Sequence, residues 1–327
     1  MIHINGNTRV FGILGHPTGH SLSPLIHNAA FAAKKINAVY VPFDVAATGA
    51  ALKRGITALQ LDGLSVTIPH KAWAAKIADD WDDLTEYCGA ANTLIRDPET
   101  DYLKAHNTDG AGAVRALKQH CPDLRGRRFL LLGYGGSATA IAHALLLEEN
   151  PAMLAVAGRN GRKVRSFVSQ LKSMHNRRST MIRAVENTVE NTTTKSVANS
   201  GKKTGAKGGA RAGEAPEETA GYKDLAPEDI DVIIHTTPLG MQGAAQGLPL
   251  PADFIRDFHH VFDIVYNPMR TPLLKHAAAA GAQTVPGYLM LLYQAVIQFE
   301  LFTGEKAPEN LMEKELLAAL RKRATGE

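Results

Sequence analysis

Four short polar stretches and one glycine turn hold the groups in this sequence best suited to chemistry. The polar stretches are Ser21-Leu22-Ser23-Pro24, Thr67-Ile68-Pro69-His70-Lys71, Ala91-Asn92-Thr93 and Asn107-Thr108-Asp109-Gly110. Hydroxyl, carboxamide, amine and carboxylate are the groups with which proteins bond polar ligands and move protons. Each stretch also has a purely structural reading. Ser23 before Pro24 suits a helix start, Asp109 suits a helix cap, and Lys71 suits an exposed first turn. The glycine turn is Gly133-Tyr134-Gly135-Gly136-Ser137-Ala138, between an apolar strand and an apolar helix. Glycines there permit a tight turn and let backbone amides approach a pyrophosphate at the helix N-terminus. The spacing is GxGGxA rather than GxGxxG, and such a turn also serves simple helix–strand packing.

The end of the following strand bears on which nucleotide would bind. Sites for NAD place an acid there to accept from the ribose hydroxyls, whereas sites for NADP place an arginine to meet the 2′-phosphate. Here the strand AMLAVA runs into Gly158-Arg159-Asn160-Gly161-Arg162-Lys163, with three bases and no acid. An exposed charged turn would look the same, but beside the glycine turn the bases predict NADP.

The elements that must position these groups alternate. RVFGIL at Arg9–Leu14, AVYVPFDV and LDGLSVTI read as strands, with IHNAAFAAKK and HKAWAAKIADDWDD as helices. After Gly126 the pattern restarts with RRFLLLGYGGSATAIAHALLLEE, then the strands AMLAVA, DVIIHTTPLGM and HVFDIVYNP, and a helical C-terminus from about Gly287 to Lys322. Such alternation predicts an α/β fold with parallel sheets, and the polar stretches fall where strands end. From about residue 173 to 218 the chain turns rich in Ser, Thr, Asn, Gly and Lys and reads as a solvated insertion loop, with a nucleic-acid-binding arm as the lesser reading.

Composition narrows the class. With 327 residues, 45% hydrophobic and 21% charged, the chain has room for two globular domains. Thirty-six basic against 32 acidic residues leave +4, too little to argue for nucleic acid or membrane. Cys88 and Cys121 share no CxxC spacing and read as free thiols. The N-terminus shows no signal-peptide pattern and no apolar run reaches the ~20 residues of a membrane helix, so a cytoplasmic protein is expected. His16 and His20 have helix-face spacing, but Pro17 and Gly19 argue against a helix, so no metal site is predicted.

Taken in order, the motifs GHPTGHSLSPLIHN, GLSVTIPHK, GAANTL, NTDGAG, LLLGYGGSATA, TTPLGM, DIVYNPMRTPLL and PGYLMLLYQA resemble the shikimate dehydrogenase family, from about Gly12 to Gly304. The resemblance implies an N-terminal α/β substrate-binding domain at 1–109, completed by helices of 287–327, and a Rossmann-type NADP-binding domain at 110–286. It implies NADPH-dependent reduction of 3-dehydroshikimate to shikimate, a step of chorismate and aromatic amino-acid biosynthesis, by a monomer or homodimer. Carried over, Lys71 and Asp109 would be the catalytic pair, with Lys71 moving the proton and Asp109 holding it in register. Ser21 and Ser23 would bind the substrate carboxylate with Tyr266 near it, and Thr67, Lys71, Asn92, Asp109 and Gln294 would contact ring hydroxyls. Gly133, Tyr134, Gly135, Gly136, Ser137, Arg159, Asn160, Arg162, Lys163, Ile264, Gly287, Asp83 and Met290 fall on the cofactor side. Many hydroxyl-directed groups fit a polyol. One departure is Ser65, where many members have Asn, so a ring-hydroxyl contact is expected to be lost or bridged by water. Rival readings are a quinate/shikimate dehydrogenase using NAD or NADP and a non-catalytic nucleotide-binding member.

Overall fold

A computed structural model of the chain describes residues 4–176, 179–185 and 225–325. Its strands form two six-stranded sheets. The first contains β1 (Arg9–Gly15), β2 (Ala38–Asp44), β3 (Gly63–Val66), β4 (Asp80–Trp81), β5 (Thr93–Arg96) and β6 (Leu103–His106), in the order β2-β1-β3-β5-β6-β4. β1, β2 and β3 are parallel and joined through α1 (Ser23–Lys34) and α2 (Ala50–Ala58). β5 runs antiparallel to β3 and β6, so this sheet is mixed where a parallel one was expected. The cause is local. The Asp97 carboxylate accepts from the Glu99 and Thr100 amides and closes a hairpin too short for a crossover helix.

The helix expected from His70 through Asp83 is also shorter, because α3 spans Lys71–Ile77. The acids beyond it serve the backbone instead. Asp79 accepts from the Leu103 amide, and Asp82 caps α4 (Asp83–Cys88) by accepting from the Thr85 amide.

The second sheet contains β7 (Arg128–Leu132), β8 (Met153–Ala157), β9 (Met181–Val185), β10 (Val232–His235), β11 (His260–Asp263) and β12 (Gln283–Pro286), in the order β12-β11-β10-β7-β8-β9. Every pairing in it is parallel. Buried runs such as MLAVA are what a sheet covered on both faces requires, and α6 (Gly136–Ala144), α7 (Gly161–Met174) and α8 (Pro272–Ala279) connect the strands. The insertion expected from residue 173 starts later. α7 continues to Met174, and β9 pairs with β8 while burying Ile182 and Val185, apolar positions that a solvated loop would leave exposed. Residues 186–224, the greater part of that segment, lie outside the described residues.

Both sheets have a switch point, where consecutive strands depart to opposite sides and the loops at the strand ends open a crevice. In the first sheet it lies between β1 and β3, whose C-terminal loops carry Ser21 and Thr67 and lead into the helices that begin at Ser23 and Lys71. In the second it lies between β7 and β10, whose loops carry the glycine turn and Thr236-Thr237.

Two further helices join the halves. α5 (Thr108–Lys118) leaves the first sheet and packs on α9 (Tyr288–Thr303), with α10 (Glu309–Thr325) returning onto α1. A Cβ at Gly112 of α5 would stand 2.7 Å from the Gln294 backbone nitrogen of α9, so only glycine allows the two helices to approach so closely. One apolar core runs from Phe11 and Phe31 through Leu117 and Phe299 to Leu131 and Ile141, continuous between the sheets. Arg323 of α10 donates to the His20 carbonyl at 2.6 Å and ties the C-terminal helix to the loop carrying Ser21. Among the described residues no helix is long and apolar enough to cross a membrane.

Candidate active site

Lys71 opens α3 and Asp109 lies in the first turn of α5, and the two side chains meet. Lys71 Nζ donates to Asp109 Oδ2 at 2.5 Å, with the lysine 31% and the carboxylate 14% exposed. The carboxylate is also held from its other side. Asn92 Nδ2 donates to Asp109 Oδ1 at 2.9 Å, while Asn92 Oδ1 accepts from the Thr108 amide at 2.8 Å. The cap of α5 is Asn107, whose side chain accepts from the Asp109 amide at 3.1 Å. The Asp109 carboxylate is thereby spared from capping and serves Lys71 and Asn92. His70, whose ring donates to the Val45 carbonyl at 2.6 Å, anchors the chain just before Lys71.

These groups face one cleft. Ser21, Ser23, Ser65, Thr67, Lys71, Asn92 and Asp109 line it from the first half. Ile264 and Tyr266 enter from the loop after β11, Ser137 from α6, and Gly287, Met290 and Gln294 from α9 and its start. Ser23 is buried and does not cap α1, while the Ser21 hydroxyl accepts from the Ser23 amide at 3.2 Å. Gly287 is dictated by contact, since a Cβ there would stand 2.5 Å from the Ile264 and Val265 carbonyl oxygens.

A second cavity opens at the switch point of the other sheet, lined by Gly133, Tyr134, Gly135, Gly158 and Arg159 and by Thr236 to Leu239. Gly133 has φ +127°, a backbone state side chains resist, and a Cβ on it would collide with Thr236 Oγ1. Gly135 and Gly136 differ, because a Cβ on either would meet no atom of the described residues within 4 Å. Internal packing does not demand glycine there, and no side chain caps α6. The first amides of that helix are therefore open to an anion, as pyrophosphate binding requires. Tyr134 packs against Gly158 beside it. Arg159, Arg162 and Lys163 are exposed and, among the described residues, have no carboxylate partner. A buried cluster fixes the far wall. His235 Nδ1 lies 2.9 Å from Asp263 Oδ1, Thr237 Oγ1 lies 2.6 Å from His235 Nε2, and Thr271 donates to Asp263 Oδ2 at 2.6 Å.

This layout agrees with what the chain is similar to. Residues 13–94 match the family model described as the shikimate dehydrogenase substrate binding domain, and residues 287–317 match the shikimate 5′-dehydrogenase C-terminal domain. A protein of Leptospira interrogans named shikimate dehydrogenase (NADP(+)) is 37% identical over 301 residues, 92% of this chain and 91% of its own length. The chain belongs to the shikimate dehydrogenase family. A Methanosarcina acetivorans relative of the same name is 36% identical, covering 96% of this chain and 99% of its own. Among solved structures, a shikimate dehydrogenase in complex with NADP+ is 29% identical, covers 97% of this chain and 98% of its own, and has a TM-score of 0.78. The Listeria monocytogenes shikimate 5-dehydrogenase in complex with shikimate and NAD is 28% identical with a TM-score of 0.78, covering 96% of this chain and 98% of its own.

Against the residues expected for a shikimate dehydrogenase, all nine on the substrate side line the first cleft. The cofactor residues divide. Ser137, Ile264, Gly287 and Met290 line that same cleft, and Gly133, Tyr134, Gly135 and Arg159 line the second cavity. Gly136, Arg162 and Lys163 line neither. Asn160 is the α7 cap, accepting from the Lys163 amide at 3.0 Å, Asp83 is the first residue of α4, and neither lines either cavity. Ser65 lines the cleft and is also bonded within the protein. Its hydroxyl accepts from Tyr40 Oη at 2.6 Å and donates to Gln298 Oε1 at 2.7 Å, so its hydrogen is already committed within the protein. Sequence reasoning missed Gln298, Tyr40 and Thr236-Thr237. For Gln298 a signal existed, since it follows Gln294 by four residues and shares its helix face.

Proposed function

We propose that this chain reduces 3-dehydroshikimate reversibly to shikimate with NADPH, using Lys71 to move the proton. The observation that carries the reading is the Lys71–Asp109 contact in a cleft lined jointly by substrate-side residues and by Ser137, Gly287 and Met290. Bound NADPH supplies the hydride. Lys71 hands a proton to the oxygen of the ring carbonyl and recovers it in the reverse direction, as a side chain within hydrogen-bond reach of that oxygen can do. Asp109 keeps the ammonium aimed, and Asn92 keeps Asp109 aimed. Ser21 and Ser23 take the substrate carboxylate, with Tyr266 at its edge. Thr67, Asn92 and Gln294 take ring hydroxyls. The first sheet with α9 and α10 is the substrate half, and the second sheet is the cofactor half. The exposed Arg159, with Arg162 and Lys163 near it in sequence, receives the 2′-phosphate.

The setting we infer is cytoplasmic, with small-molecule partners only and a monomer or homodimer as the working unit. Absorbance of reduced nicotinamide tests the reading directly: purified protein with shikimate and NADP produces it. Lys71→Ala lowers turnover by on the order of 10²–10⁴ with modest change in KM. No turnover of shikimate, or a variant keeping a third of wild-type turnover, overturns the assignment. Faster turnover of quinate with NAD moves it to the quinate branch.

A further inference from the structure

Behind the cleft wall lies a polar chain whose hydrogen-bond directions follow from two backbone groups, the Asn92 carbonyl and the Thr108 amide. Gln298, on α9, is fully buried and lines the cleft beside Ser65. Its Nε2 lies 3.0 Å from the Asn92 backbone carbonyl, which can only accept. That oxygen forces the amide nitrogen toward β5 and the amide oxygen toward Ser65. With Gln298 Oε1 at 2.7 Å, Ser65 must spend its one hydrogen on it. Tyr40 Oη, 2.6 Å away on the other side, must then donate to Ser65. Burial, moderated by the Ser65 and Ser23 hydroxyls, pushes the Tyr40 phenol upward, which keeps that hydrogen in place.

The chain extends the other way with the same logic. Thr93 Oγ1 accepts from Gln298 Nε2 at 2.9 Å and donates to Asn92 Oδ1 at 2.9 Å. Asn92 Oδ1 also accepts from the Thr108 amide, so Asn92 Nδ2 is turned to Asp109. Ser65 and Asp109 therefore belong to one oriented array, pinned at the Asn92 carbonyl and at the Thr108 amide.

The array has a consequence for what can lie against Ser65. A serine oxygen has one hydrogen and two lone pairs. The hydrogen goes to Gln298 and one lone pair takes the Tyr40 hydrogen, which leaves a single lone pair for the cleft. We propose that Gln298 is a specificity-determining positioning residue: by claiming the Ser65 hydrogen it makes that point of the wall acceptor-only, so the cleft takes there a substrate hydroxyl that donates and rejects a group that can only accept. A ligand hydroxyl meets this wall with its hydrogen, whereas a fluorine, ether or keto oxygen meets it lone pair to lone pair. A site built this way discriminates strongly, because the mismatched group leaves polar atoms buried and unpaired. The inference rests on the proposed substrate being shikimate.

The test uses the full-length protein with shikimate and two analogues, each with one of the two non-reacting ring hydroxyls replaced by fluorine. Affinity is read by calorimetry on the protein without cofactor, and kcat/KM is read with NADP. For one of the two analogues the wild type loses on the order of a hundredfold in both. Gln298→Met fills the same volume but returns the hydrogen to Ser65, which can then donate to fluorine, and the ratio of shikimate to that analogue falls below tenfold. Ser65→Ala, which removes the lone pair, collapses the same ratio. A wild type that binds both analogues within tenfold of shikimate overturns the proposal without any variant, and so does a folded Gln298→Met that keeps the wild-type ratio. Failure of the functional reading itself has a different signature, an unmodified protein that neither binds nor turns over shikimate, and the proposal then falls with it.

Discussion

The Tyr134 ring occupies the space that a side chain at position 158 would need: a Cβ on Gly158 would stand 2.8 Å from Tyr134 Cε1 and 2.9 Å from Cδ1. Position 158 follows the last residue of β8, where an acid would have to sit to bond the ribose hydroxyls of NAD. The absence of an acid is thus supported by a neighbour as well as by the residue itself. Gly158→Asp alone should lose at least tenfold in kcat/KM with both cofactors, because the acid meets the ring. Tyr134→Ala with Gly158→Asp should move the NAD to NADP ratio toward NAD by tenfold or more. A single variant that shifts the ratio as far as the double one would show that the ring is no obstacle.

Arg159, which lines the same cavity, is the residue proposed for the complementary half of this selectivity. A charge-assisted contact to a phosphate contributes roughly 1.5–3 kcal/mol, equivalent to a preference of about ten- to a hundredfold. Arg159→Ala should weaken use of NADP by that factor and leave NAD nearly unchanged, measured as kcat/KM at fixed ionic strength. Equal losses for both cofactors would remove the phosphate contact from the account.

Asp109→Asn keeps the shape of the site but removes the charge that holds Lys71. Turnover should fall by on the order of 10²-fold, the scale of a mispositioned proton donor, with the melting temperature within a few degrees of wild type. Unchanged turnover would mean that Lys71 needs no anchor.

Two buried histidines contribute to the response to acid. Burial holds His27 down at about 3, against 6.5 when free, and burial with the neighbouring His175 holds His143 down at about 4. Below about pH 6.5 the unfolded chain takes up protons that the folded chain refuses. Their contribution is therefore intact above that pH and is lost as pH falls toward 4 and then 3, by up to about 1.4 kcal/mol per pH unit for each. Denaturant titrations between pH 4.5 and 6.5 should show this slope, and His27→Phe, which preserves the ring stacked on Tyr40 at 4.5 Å, should remove about one proton's worth of it. An unchanged slope in that variant would mean His27 is protonated in the folded chain.

Much of this arrangement was legible from residue order alone. Strand ends can be read from apolar runs, so Lys71, Asp109, Ser21 and the glycine turn could be assigned to loops at strand ends before any coordinates. What escaped depends on contacts between distant positions. The β5–β6 hairpin turns on Asp97 acting as a side-chain acceptor, which a strand-and-helix rhythm does not reveal. β9 was hidden because its five residues adjoin a polar low-complexity stretch. Ser65 gives its hydrogen to Gln298, 233 positions away, a pairing that no local pattern reveals.

The helix α9 has a consequence for how this cleft can vary. Its capping Gly287 and then Met290, Gln294 and Gln298 lie on one stripe, and Gly112 presses on its backbone midway. A single stiff rod therefore sets the gauge between the Gly287 end of the cleft and the Gln298 end. One residue inserted between Met290 and Gln294 would rotate everything beyond it by about 100° and advance it by about 1.5 Å, taking both glutamines off the stripe at once. New ligands can be accommodated by exchanging side chains along the rod, whereas a change in its residue count would dismantle both ends together.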